Sequence, residues 1–141
     1  MTADNIPADG AVCAAYFGYE DAAAALVFLE KAFGFEKTFA QDGENGEILH
    51  AEMRFPGGAI MMGTGRDEQR AGDVKTKPAG RGLYIVTDDV DGVFERAKAA
   101  GAHVVWEPHD TEFGTRRCRV LDPEGYEWSF GSYRPGADPK W

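Results

Sequence analysis

Two matching stretches decide how this chain is read: KAFGFEKTF at residues 31–39 and KAAGAHVVW at residues 98–106. Lys, Ala and Gly fall at the same places in both, at an offset of 67, which is 98 minus 31. The same offset sets Asp21 on Asp88, Pro56 on Pro123 and Gly58 on Gly125 without a gap. Asp, Gly and Pro are residues of helix caps and turns, so coincidences of this kind mark equivalent chain reversals. The chain reads as one supersecondary unit written twice.

Periodicity supplies the elements of each copy. AVCAAYFGYE (11–20) and GLYIVTD (82–88) are apolar, aromatic and β-branched runs that predict buried strands. DAAAALVFLEKAFG (21–34) and DVDGVFERAKAAG (89–101) each open on Asp as N-cap and close on Gly, which predicts helices. FEKTFAQ and HVVWEP, then EILHAEMRF and TRRCRVLD, then AIMMG and YEWSFG after the turns PGG and PEG, complete a β-α-β-β-β order in both halves. Residues 11–63 form the first module and 81–133 the second. Residues 64–80, TGRDEQRAGDVKTKPAG, are polar and glycine-rich and read as a linker, whose Arg66, Arg70, Lys75 and Lys77 are either solvated or part of a lid. The expected fold is α+β: a curved, eight-stranded mixed sheet around a cleft, with the helices on its outer face.

Composition narrows the function classes. A length of 141 residues suits one well-cored domain. A formal charge of -9 argues against nucleic acid, whose phosphates such a surface repels, and its field favours cations. The absence of a bilayer-length apolar run and of a basic, apolar leader in MTADNIPADG predicts a soluble, cytoplasmic protein that engages no membrane. Cys13 and Cys118 have no metal-type spacing and read as reduced, partly buried thiols. No nucleophile triad, P-loop or dinucleotide fingerprint occurs; GGAIMMGTG has glycines but no helix after them.

The second half, TDDVDGVFERAKAAGA (87–102) with DPEGYEWSFG (122–131), resembles the vicinal oxygen chelate superfamily, also called the glyoxalase, bleomycin resistance and dioxygenase superfamily. The first half, FLEKAFGFEKTF with FPGGAIMMG, is more similar to its PhnB-like and antibiotic-resistance branches than to glyoxalase I. The resemblance spans about residues 11–133. It implies a metal held by the first and last strands of the two modules. Those positions fall on Ala14 or Ala15, Met62, Gly82 and Ser129 here. None supplies the carboxylate, imidazole or thiolate that a divalent ion needs, so no metal and no cofactor is expected. His50 and Glu52 share one strand face and amount to half a metal site, or simply to a polar face alternating with Leu49, Ala51 and Met53. His103 and His109 read as surface residues.

If the metal positions point into the cleft, strand alternation brings their neighbours with them. The expected ligand-binding residues are Phe17, Tyr19, Ile60, Met62, Tyr84, Glu127 and Ser129; Phe17 and Tyr19 are carried over from the second module by the 67-residue offset, and Met62, with Ile60 beside it, is the position the resemblance implies four residues beyond Gly58. Phe17 and Tyr84 read equally as core, Tyr19 can also be core, and Phe39 and Trp106 read first as core packing. Trp128 and Phe130 alternate toward the helices, and Arg117 and Arg119 form a stripe that is solvated or faces ligand. Aromatic walls around one carboxylate suit a flat, partly cationic ligand. Two readings follow: a homodimeric protein that sequesters such a drug or metabolite without catalysis, or a metal-dependent lyase, isomerase or dioxygenase with an atypical site.

Overall fold

The computed structural model describes residues 14–65 and 82–135. Cys13 and nearly all of the linker, including its four basic residues, lie outside them. The elements run β1 (Ala15–Tyr19), α1 (Ala22–Phe33), β2 (Glu36–Asp42), β3 (Ile48–Phe55), β4 (Gly58–Thr64), β5 (Gly82–Val86), α2 (Val90–Ala99), β6 (His103–Asp110), β7 (Arg116–Leu121) and β8 (Glu127–Gly131). The expected β-α-β-β-β order holds in both halves. The eight strands divide into two four-stranded mixed sheets, ordered β1-β4-β3-β2 and β5-β8-β7-β6. In each, the first strand runs parallel to the last and the other pairs are antiparallel. The chain forms two compact units, β1 to β4 with α1 and β5 to β8 with α2.

Each helix begins where an Asp side chain takes over an orphan backbone N–H. The Ala24 N–H donates to Asp21 Oδ1 at 3.0 Å, and the Gly92 N–H donates to Asp89 Oδ1 at 3.0 Å. The two caps are 68 residues apart, 89 minus 21, so Asp89 rather than Asp88 is the partner of Asp21. The left-handed glycines that follow the helices, Gly34 and Gly101, are 67 apart. The left-handed turn glycines, Gly57 and Gly125, are again 68 apart, both at φ 86°. The second copy has thus lost one residue in the helical region and gained one in the last turn. A one-residue slip turns every side chain of a strand to its other face. The constant offset therefore carries positions between β1 and β5, and between β4 and β8, onto the wrong side.

The consequence shows in the first unit's core. Phe17 at 7% exposure and Tyr19, Ile60 and Met62 at 0% lie with Ala51 and Met53 on one side of the sheet. That side takes the buried face of α1, made of Ala22, Ala25, Leu26, Phe28, Leu29 and Ala32. Tyr16 is 60% exposed on the opposite side, across Gly63. It matches Tyr84 across Gly131, 68 residues on. In the second unit, Val90, Phe94 and Ala97 of α2 are buried against a sheet whose helix side carries Cys118, Val120, Trp128 and Phe130, the orientation expected for Trp128 and Phe130. Burial pushes the Cys118 thiol up to about 11, which makes it a poor nucleophile.

The turn before β8 is organised by a buried carboxylate. Asp122 is 2% exposed; its Oδ1 accepts the N–H groups of Glu124 at 2.9 Å and Tyr126 at 3.2 Å, and its Oδ2 accepts the Trp128 indole N–H at 3.0 Å. Pro123 and Gly125 allow the chain to wrap around that group. Removing the carboxylate orphans three buried donors. Asp122→Ala is expected to destabilise the protein by roughly 3 kcal/mol in chemical denaturation, at about one per lost hydrogen bond.

At the opposite end of β7, Arg116 holds α2 to the strands. Its Nε and Nη2 donate to the two oxygens of Asp91 at 2.8 and 2.9 Å, and its Nη1 donates to Asp110 at 2.9 Å. The fork lowers the Asp91 carboxyl below its usual range. A lowered folded value contributes stability that is present above the unfolded pKa, about 3.9, and is lost as pH falls through the folded one. Asp91→Asn is therefore expected to lower the melting temperature slightly at neutral pH and to make progressively less difference as pH falls through the folded value, as read by thermal melts over a range of acid pH.

Candidate functional site

The open side of the second sheet carries a transverse row of four side chains, one from each strand. Strand register sets Trp106 of β6 opposite Arg119 of β7, Arg119 opposite Ser129 of β8, and Ser129 opposite Tyr84 of β5. Trp106 reaches the row because β6 is irregular on both sides of it. Val104 pairs with Val120 on the helix side, and the shift between Val104 and Trp106 turns the indole to the open side. Plain alternation would have left Trp106 beside Val104, in the core.

Arg119 ties the row together. Its Nε donates to Ser129 Oγ at 2.7 Å and its Nη1 donates to Glu127 Oε1 at 3.1 Å, while the guanidinium carbon lies 4.1 Å from the Trp106 ring centroid. Arg117 also approaches that ring, at 4.7 Å, and its Nε donates to His109 Nε2 at 3.0 Å. The other His109 nitrogen meets the Glu107 carbonyl at 2.9 Å, which assigns the proton to Nδ1. His109 is thus a strand residue that positions Arg117, where the sequence suggested a surface loop.

A cavity of about 270 Å³ is lined by Gly82, Leu83, Tyr84, Arg119, Glu127 and Ser129. Glu127 is 6% exposed, and its Oε2 has no hydrogen-bond partner among the described residues. Tyr84 is 38% exposed; its hydroxyl donates to the Tyr133 carbonyl at 2.9 Å, and burial of the ring raises the phenol above its ordinary value, so it remains a donor at neutral pH. At Gly82 a Cβ would run into the carbonyl oxygen and Cβ of Glu127. Glycine lets β5 come close enough to seat that carboxylate.

Of the residues expected to bind ligand, the fold brings together Tyr84, Glu127 and Ser129. Phe17, Tyr19, Ile60 and Met62 belong to the helix side of the first unit, for the one-residue reason given above. Leu83, Trp106 and Arg119 are the additions. Arg119 was legible in principle: Arg117 and Arg119 alternate with the apolar Cys118 and Val120, and closing the DPEGY turn sets position 119 opposite position 129. His50 and Glu52 contact each other at 2.8 Å on β3.

The metal implied by the resemblance does not fit these residues. Gly82 has no donor and no room for one, the Ser129 hydroxyl is engaged by a guanidinium, and the nearest carboxylate is paired with the same cation. A fixed positive charge stands beside the place where an ion would bind. Among the described residues no group of three His, Cys, Asp or Glu side chains converges, and no helix is long and apolar enough to cross a membrane.

Because of the contact at Gly82, Gly82→Ala is expected to cost about 2 kcal/mol of stability, within the usual range for overpacking. Denaturant titration would reveal it, and a cost near zero would mean that β5 can move away from Glu127.

The fold and this row of side chains can be set beside known proteins. The profile of the Glyoxalase/Bleomycin resistance protein/Dioxygenase superfamily matches residues 14–130. The uncharacterized proteins Mb0911c of Mycobacterium bovis and Rv0887c of Mycobacterium tuberculosis are each 34% identical over 116 residues, covering 79% of this chain and 76% and 68% of theirs. TioX from Micromonospora sp. ML1 superposes with a TM-score of 0.71 at 29% identity, over 89% of this chain and all of its own. A fosfomycin resistance protein, FosX of Listeria monocytogenes, in a complex with Mn(II) and a dihydroxypropylphosphonic acid, gives 0.67 at 16% identity over 89% and 91%. The second of these structures shares the fold. With the profile covering most of the chain and relatives above 30% identity, the protein belongs to the glyoxalase, bleomycin resistance and dioxygenase superfamily.

Proposed function

We propose that this protein binds and sequesters a flat aromatic small molecule, a drug or a secondary metabolite, without altering it. One observation carries the reading: Arg119 bridges Ser129 and Glu127, so a fixed cation and its partners fill positions that an enzyme of this superfamily would give to a metal. The cavity beside them is near the low end of ligand pockets, about 300 Å³ against about 270 Å³ here, a size for one end of a ligand rather than all of it. Tyr84 offers a partly exposed ring and Glu127 a buried acceptor.

The partly cationic character expected of the ligand rested on the acidic chain and on Glu127 as the one charge in the site. Arg119 supplies the opposite charge 3.1 Å away, so the cavity wall is formally neutral, one plus against one minus. What remains is the demand of Glu127 Oε2 for a hydrogen-bond donor. We also propose that the protein works as a homodimer in the cytoplasm. β2 is an edge strand with all seven residues exposed, Phe39 among them, and such edges are usually covered; the two cysteines without a disulfide spacing suit a reducing compartment.

Purified protein is expected to carry no stoichiometric Zn, Ni, Fe or Mn and to lack glyoxalase I activity. An ion at unit occupancy, with turnover that disappears on chelation, would favour the lyase, isomerase or dioxygenase reading instead. In a screen of flat aromatic compounds followed by calorimetry, Tyr84→Ala is expected to weaken binding several-fold through lost stacking, about 1 kcal/mol; unchanged affinity would remove Tyr84 from the site. Sedimentation at micromolar concentration is expected to give twice the chain mass, and a monomer would exclude the dimer.

A further inference from the structure

We propose that Arg119 and Glu127 act together as a donor-acceptor reader that selects a neutral carboxamide, urea or lactam edge on the ligand. This rests on the binding reading above and adds the chemistry by which the ligand is recognised.

Two unfinished hydrogen-bonding groups stand side by side in the cavity wall. Arg119 has five N–H donors; Nε–H goes to Ser129 and one Nη1–H to Glu127, which leaves five minus two, or three, without a partner among the described residues. Glu127 is the converse. Its Oε1 is engaged by Arg119, and its Oε2 is buried in the same wall without a donor among the described residues. A buried oxygen left unpaired is costly and is rare in folded proteins. Ser129 Oγ already accepts from Arg119, so its own hydroxyl proton is left to donate.

The pair discriminates by charge as well as by pattern. A cationic head satisfies Glu127 Oε2 but meets the guanidinium that is already paired with that carboxylate. A carboxylate head satisfies Arg119 but sets an acceptor against an acceptor at Glu127. A carboxamide offers a carbonyl to Arg119 and an N–H to Glu127 Oε2, in one plane and without net charge. Leaving Glu127 Oε2 unmatched carries the cost of a buried orphan acceptor.

Three probes of one shape separate these cases: naphthalene-2-carboxamide, naphthalene-2-carboxamidinium and naphthalene-2-carboxylate, each titrated into the full chain by calorimetry. The carboxamide is expected to bind at least about tenfold more tightly than either charged probe, the effect of roughly one buried hydrogen bond. Glu127→Gln replaces the acceptor with a group that can also donate, and is expected to shift the preference toward the carboxylate. Because this is a ratio measured within one protein, a general loss of affinity does not mimic it; should the variant fail to fold, the wild-type comparison alone decides. Equal affinities, a charged probe that binds more tightly, or a folded Glu127→Gln variant with an unchanged ratio would overturn the reader and leave sequestration standing. Failure of all three probes to bind would overturn both.

Discussion

The guanidinium of Arg119 is the group on which the open face of the second unit depends. It lies against an indole, donates to a serine hydroxyl and pairs with a carboxylate that is nearly inaccessible to water. Each contact alone is modest. Burying Glu127 without a cation would be unfavourable, and holding a free arginine flat over Trp106 would cost side-chain entropy. Together they fix three strands' side chains in one geometry. The same cation weighs against a metal at these residues, because a divalent ion would have to displace it and then find ligands that Gly82 and Ser129 do not provide.

The order of elements, the caps and the superfamily were all readable from residues. Asp, Gly and Pro recur because caps and tight turns restrict the backbone, and restricted positions keep their residue type when the rest of a repeat diverges. The site was readable only within the second copy. With the metal positions that the resemblance implies at Gly82 and Ser129, alternation within YEWSFG and GLYIV set Glu127 and Tyr84 on the same side, as observed. Transfer between copies failed, because a single residue lost in the helical region and a single one gained in the turn hardly alter the repeat yet invert the strands at both ends of it. Trp106 was hidden for a related reason: a strand irregularity breaks the period of two, and nothing in HVVWEP announces it.

The two units have drifted apart in what their open sides offer. In the first, His50 is engaged with Glu52 and Arg54 with Glu36, so those polar groups are partnered near the surface. In the second, a buried carboxylate is paired with a partly exposed arginine, and both line a cavity. A scaffold that carries each half of its core under its own helix can tolerate such divergence, because the open side of one sheet changes without repacking what lies beneath it.

β8 sets a limit on that freedom. All five of its residues are buried, Glu127 and Ser129 toward the cavity, Trp128 and Phe130 beneath α2, so it has no idle position. A chain adapting to a different compound has little latitude there. The latitude lies in the other strands, where Tyr84 on β5, Arg117 on β7 and Trp106 on β6 are at least partly open to solvent. Laboratory evolution of new selectivity should therefore randomise those positions and leave β8 alone, and natural divergence of recognition among close relatives should be concentrated at the same places.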